Sequence, residues 1–347
     1  MSLVFRNALM PSENQQVLRL RLVYFMRRLA LLTAASLTFA AIPYSVKADT
    51  GSIEQSNAQE SSLKEDVIFK WYLNGQTQGA GVPNSVGIGS LRPFAIKENS
   101  LWFFDSVMNV NLGDVVGSSI INTDVAGTTL SASNRLGYRW LNEDNSKMYG
   151  FNFGYDTRNM NTGDADNATV TNKKDVSFQQ VALGVETVSE NWNFNSYALI
   201  PTGDVEKQLN DKYEGGAMNT YGVDMGFDFT DDLTSSVGYY YQHRDQEEVD
   251  GSGIKANLTY DLGNGLTVAT NISYDEAFDT RVSADFKYRF RLDGKGKDNT
   301  QSNVINALSK PLSNRDVRVH DSVVVNNSSN FSLCALLHPG KFSIICL

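Results

Sequence analysis

The 347-residue chain has two cysteines, Cys334 and Cys346, and none before them. No disulfide framework or cysteine-ligated metal centre can therefore lie in the first 333 residues. A bridge between those two is open to the chain in an oxidising compartment, but their spacing does not demand one. Histidine is almost as scarce, with His243, His320 and His338 alone. A net charge of −9 removes the general basic field by which a protein binds nucleic acid or an anionic surface, so no nucleic-acid partner is expected. Long hydrophobic runs are also missing. The stretch Leu29–Ala41 is about thirteen residues, short of the roughly twenty that a spanning helix needs, and the mean hydropathy of −0.29 excludes a helical membrane bundle. Membrane-crossing strands remain allowed, because such strands give only alternate residues to lipid.

That short apolar stretch has a different use. It follows the basic Met26-Arg-Arg28 and precedes Val46-Lys-Ala48, whose small residues suit positions −3 and −1 of a cleavage site before Asp49. Residues 1–48 thus read as a secretory signal peptide, with Met26 a candidate for the true start. Residues 49–66 are rich in Ser, Gln and Glu without periodicity and read as a short periplasmic segment.

From residue 67 the pattern changes. In Tyr221–Phe229 an apolar or aromatic side chain occupies every odd position and Gly or Asp every even one. One face of such a strand meets an apolar medium and the other meets water. Twelve segments follow this logic, at about 67–74, 84–94, 100–112, 127–141, 147–158, 175–188, 191–205, 218–230, 233–245, 251–262, 266–275 and 281–290. Residues 100–112 are anomalous in carrying apolar groups on both faces (Leu101, Trp102, Phe103, Phe104), and 113–126 has room for another short strand. The last strand is cleaner, with Phe286, Tyr288 and Phe290 on the apolar face and Asp285, Lys287 and Arg289 on the polar one.

Connections alternate in length. Lys97–Asn99, Asn142–Ser146, Ser189–Asn191, Thr230–Asp232 and Gly263–Gly265 are tight, whereas 75–83, 113–126, 159–174 and 206–217 are long and polar; Gln246–Asp250 is shorter, and Glu276–Thr280 breaks the trend. Short turns on one side and long loops on the other predict an all-β fold, an antiparallel transmembrane β-barrel of about 12 strands over residues 67–290 in the outer membrane. An open sheet would leave edge groups unsatisfied in lipid, so the barrel must close. Residues 291–347 read as an irregular tail, either a pore-threading segment or a truncated passenger.

Several segments then resemble a known family. Leu136-Gly-Tyr-Arg-Trp140, Tyr149-Gly-Phe-Asn-Phe-Gly-Tyr-Asp156, Ala182-Leu-Gly-Val-Glu186 followed by Asn191-Trp192, and Tyr239-Tyr-Tyr241 are similar, in this order, to the translocator barrel of inverse autotransporters, the intimin and invasin family. The resemblance covers about residues 67–290 and implies twelve strands and a segment returning through the pore. It also implies that Phe286, Tyr288 and Phe290 form the aromatic signal read by the outer-membrane assembly machinery, here placed internally. The family's Ig-like passenger domains are not found in this sequence, so the expectation is a translocator or anchor whose passenger is short, lost or encoded elsewhere. The expected partners are membrane lipid, the assembly machinery and the chain's own tail in the lumen. The alternative is a general porin or small-molecule channel.

Catalysis finds little support. His243 sits in Gln242–Gln246 near a strand end, where a general base is conceivable, but no Asp lies two residues before it and a solvated rim histidine is the better reading. Gly163–Asn167 offers oxygen ligands without the glycine and distal Glu of a calcium loop, so no metal or other cofactor is assigned. The lumen-facing candidates are Arg135, Glu186, Asp224, Asp228, Asp285, Lys287 and Arg289. They either bridge one another across wet space or form a polar track that holds the returning tail or lets solutes pass.

Overall fold

A computed structural model describes residues 70–114, 121–165, 168–244, 250–290 and 302–324. The expected signal peptide, the segment 49–66, both cysteines and the apolar end 331–347 lie outside these residues. The strands are β1 (Lys70–Gln76), β2 (Asn84–Ile96), β3 (Ser100–Leu112), β4 (Thr123–Ala126), β5 (Thr128–Leu141), β6 (Met148–Ala165), β7 (Asp175–Val188) and β8 (Trp192–Pro201). They continue with β9 (Glu206–Gln208), β10 (Tyr213–Ala217), β11 (Asn219–Asp228), β12 (Leu233–His243), β13 (Asp250–Gly263), β14 (Leu266–Asp275) and β15 (Asp279–Phe290). A short helix α1 (Asn303–Ala307) and a strand β16 (Val319–Val323) complete the described chain.

Twelve of these strands close into one antiparallel barrel. Its seam joins β1 to β15 with Trp71 opposite Phe290 and Leu73 opposite Tyr288, and β6 pairs β7 to complete the ring. The exterior is apolar: Val237, Ile254, Leu258 and Val282 are all more than half exposed. A closed barrel with such a surface satisfies every strand hydrogen bond internally and belongs in the outer membrane. The tight connections, Lys70 and Phe290 share one end, called the turn end here; the long connections gather at the other, the loop end. Tight reversal at Gly263-Asn-Gly265 uses three consecutive residues with positive φ (81°, 52° and 85°).

The loop 206–217 holds two short strands: β9 and β10 pair there, and Gly215 and Gly216 leave room for the Leu209 and Glu206 side chains against the backbone. The tail, expected to be irregular, carries defined elements where described. Ser302 caps α1 by accepting from the Ile305 N–H at 3.4 Å, and β16 pairs with β10 from Tyr213–Val323 to Ala217–Val319. The short strand suspected in 113–126 is β4, which pairs with the far end of β6, itself extended to Ala165.

Candidate functional site: the occupied lumen

The anomalous apolar inner faces explain where the tail sits. Leu91, Leu101, Phe103, Leu141 and Met148 point inward near the turn end and form one cluster with Val304, Ala307, Leu308 and Leu312. A water-filled lumen would disfavour these wall residues; a docked apolar segment accounts for them. Phe103 and Leu308 are both fully buried. At about 25 cal/mol per Å2, covering side chains of this size contributes on the order of 1.5–3 kcal/mol each.

From there the chain runs the length of the barrel. At the turn end the Asn303 Nδ2 donates to the Glu190 carbonyl (3.0 Å) and to Asp228 (3.3 Å). Arg139, which stacks on the Phe103 ring at 4.5 Å, donates to the carbonyls of Leu308 (3.0 Å) and Lys310 (2.8 Å) while Glu186 holds its Nε at 2.7 Å. Asp105 accepts the Leu312 N–H and the Tyr72 hydroxyl, each at 2.8 Å, and pairs with Arg315. Higher still, Arg158 donates to the Val317 carbonyl (2.9 Å), and Arg318 lies over the Tyr240 ring at 4.5 Å. At the loop end Asp321 accepts from the backbone N–H groups of Asn122 (2.9 Å) and Thr123 (2.7 Å). Arg244 binds Glu206 and the Ser322 hydroxyl there (2.8 Å). Val317 and Val319 join Met160, Val176, Phe178 and Leu209 in a second apolar cluster that covers this end.

The lumen candidates divide between wall and tail. Arg135 pairs with Asp156 at 2.6 Å and also reaches the Asn314 carbonyl at 3.3 Å. Asp224 bridges Lys255 (3.0 Å) and accepts from the Asn314 amide (3.2 Å), while Asp228 serves Thr234 and Asn303. Glu186 meets the tail through Arg139. Asp285 accepts from Asn271 at 2.8 Å, Arg289 pairs with Asp261 at 3.3 Å, and Lys287 lies 5.8 Å from the Tyr72 ring. Among the described residues these last three make no hydrogen bond or ion pair to the tail and, with the other four, line a polar cavity of about 480 Å3 beside it. Asp231 and Asp232 of a tight turn also border it, so the cavity lies toward the turn end.

Asp105, Asp156, Arg139, Arg158 and Arg244 were not among the sequence candidates, yet all five are buried. Their signal was their phase: Arg135 and Arg139 are inward at i and i+4 of a strand whose alternate residues face lipid. His243 ends β12 on the outward face, its ring parallel to Tyr241 at 6.5 Å. Phe286 and Tyr288 face outward, and the Phe286 ring covers Gly75 across the seam. Tyr288 stacks on Phe290 at 5.8 Å. Among the described residues no group of three His, Cys, Asp or Glu side chains is arranged to hold a metal. The carboxyl of Asp144, in a tight turn, is held below the usual carboxylate range by the Ser146 hydroxyl and N–H.

No family model matches the chain, and no curated protein matches it. Solved structures do. A structure reported as "Unveiling the Mechanism Behind the in-meso Crystallization of Membrane Proteins" matches 73% of this chain and 99% of its own at 11% identity, with a TM-score of 0.52. The translocator domain of autotransporter NalP from Neisseria meningitidis matches at 14% identity over 69% of this chain and 94% of its own, with a TM-score of 0.39. An outer membrane channel from Pseudomonas putida F1 matches at 12% identity over 64% and 95%, with a TM-score of 0.41. At 11% identity the first of these likenesses is one of fold.

Proposed function

We propose that this protein is a translocator and anchor of the inverse-autotransporter type, with its turn end in the periplasm and its loop end outside. The observation that carries the reading is the path of residues 302–324, which enter at the turn end and finish as a strand at the loop end. A dedicated apolar seat and a ladder of buried charges favour a permanent occupant over a solute, since a conducted solute must leave as readily as it enters. The ordered motifs shared with the intimin and invasin barrels point the same way. The reading assigns no catalytic role to any side chain and makes the aromatic strand β15 the site read by the assembly machinery.

A channel is the second reading, favoured by the polar cavity of about 480 Å3 beside the tail. An epitope inserted after Val324 separates the two. A translocator shows it to antibody on intact cells, and a porin with a periplasmic tail shows it only after the outer membrane is opened. The first outcome supports the proposal; the second overturns it.

A further inference from the structure

The lipid-facing surface of the barrel is not uniformly apolar. On β2, β3 and β5 the outward residues Ser90, Ser106 and Asn134 stand directly opposite one another in register. Ser106 Oγ donates to Asn134 Oδ1 at 2.7 Å, and Asn134 is exposed. Its amide nitrogen donates to nothing among the described residues. On the far side β11–β14 turn Met225, Val237, Ile254 and Ile272 outward, all well exposed.

Depth makes the amide conspicuous. Asn134 lies six residues from Trp140, whose ring belongs to an aromatic set with Trp102, Tyr138, Tyr149 and Phe151 toward the turn end. Six residues at about 3.3 Å each, tilted by about 40°, climb roughly 15 Å, near the middle of an apolar band about 25 Å tall. Acyl chains at that depth offer neither donor nor acceptor, and headgroups are out of reach. A facing protein surface supplies both.

We infer that this face is the contact between two copies of the chain, related by a two-fold axis along the membrane normal. Such an axis keeps both barrels inserted in the same sense and sets a residue lying on the axis, here Asn134, opposite its own equivalent. An amide is self-complementary, so the Nδ2 of one Asn134 donates to the Oδ1 of the other and the reverse bond forms as well. A lone donor or acceptor could not close on itself in this way. The small Ser90 and Ser106 make a shallow floor between the exposed Phe104, Met108 and Phe153, which lets two barrels approach closely.

The test is made on the full chain with Cys334→Ser and Cys346→Ser. Asn134→Cys is expected to give an oxidised dimer in native outer membranes, whereas Leu258→Cys, on β13 across the barrel, gives none. In detergent, sedimentation equilibrium of Asn134→Leu is expected to show association about tenfold weaker than the parent, as for loss of two interchain hydrogen bonds in an apolar medium. The leucine suits a lipid-facing site, so heat-modifiability on gels should confirm that the variant still folds. Cross-linking at both positions or at neither overturns the inference. So does a cross-link to a protein of different mass, or a leucine variant that associates as tightly as the parent.

Discussion

Asp105→Ala removes the hub of the tail seat. The carboxylate is fully buried and serves three groups, the Tyr72 hydroxyl, the Leu312 N–H and the Arg315 guanidinium. Without it Arg315 keeps the Ser133 hydroxyl at 3.3 Å and two carbonyls, and the nearby Asp156 is already paired with Arg135. Losing one partner of a buried pair destabilises by about 3–5 kcal/mol. Tyr72, a wall residue, accounts for about 1 kcal/mol as a lost neutral hydrogen bond. The backbone pairing of β3 with β2 and β5 is untouched, so most of the loss falls on the seating of the tail. A shift near 4 kcal/mol raises the unseated population about a thousandfold. Amide exchange over residues 302–318 should accelerate by that order, and trypsin should begin to cut after Arg315 and Arg318, while exchange in β11–β15 stays slow. The double variant Asp105→Leu with Arg315→Met replaces both charges by apolar groups and should recover most of the protection. Unchanged exchange of the tail in Asp105→Ala would refute this account of the seat, as would equal acceleration in β11–β15.

Leu308→Ala empties a fully buried site between tail and wall and should loosen the tail by about 2–5 kcal/mol, read in the same exchange experiment, without lowering the heat stability of the barrel itself. His320, facing the Phe278 ring at 5.4 Å with Asp321, Asp275 and Arg244 nearby, has its imidazole pushed down from 6.5 by burial. The seated β16 therefore binds fewer protons than the released strand. Its pairing with β10 is firm above 6.5 and weakens as pH falls through that value, so intrinsic-corrected exchange of β16 should rise between pH 7.5 and 5.5 in the parent but not in His320→Phe. Gly265→Ala imposes a side chain at φ 85° and drives its Cβ against the Arg289 carbonyl; the folded fraction in outer-membrane preparations should fall, and a normal yield would deny that this turn sets the β13–β14 reversal.

The lipid faces of β11–β15 were legible because their alternation is clean: Val282, Phe286 and Tyr288 outward, Asp285, Lys287 and Arg289 inward. The early strands were harder for a physical reason. Leu101 and Phe103 are apolar on the lumen side because they receive the tail, so β3 mimics a strand buried on both faces. Arg139 and Asp105 were missed for a related reason, since their partners on the tail, the Leu308 and Lys310 carbonyls and Arg315, lie about 170 to 210 positions away in sequence. In β10 and β16 the pairing is between segments about a hundred residues apart, and neither segment carries an alternation of its own. The turn signals, by contrast, are local, and Asn-Gly at 264–265 was sufficient to place one.

The claim that the chain's own tail holds the lumen is tested most directly by single-channel conductance in planar bilayers, comparing the full chain with one lacking residues 291–347. The full chain is expected to pass little current, because the apolar clusters and buried charge pairs fill the lumen beside a cavity of about 480 Å3. Removing the tail should open a stable pore of several-fold larger conductance. Equal conductance from the two proteins would contradict the account.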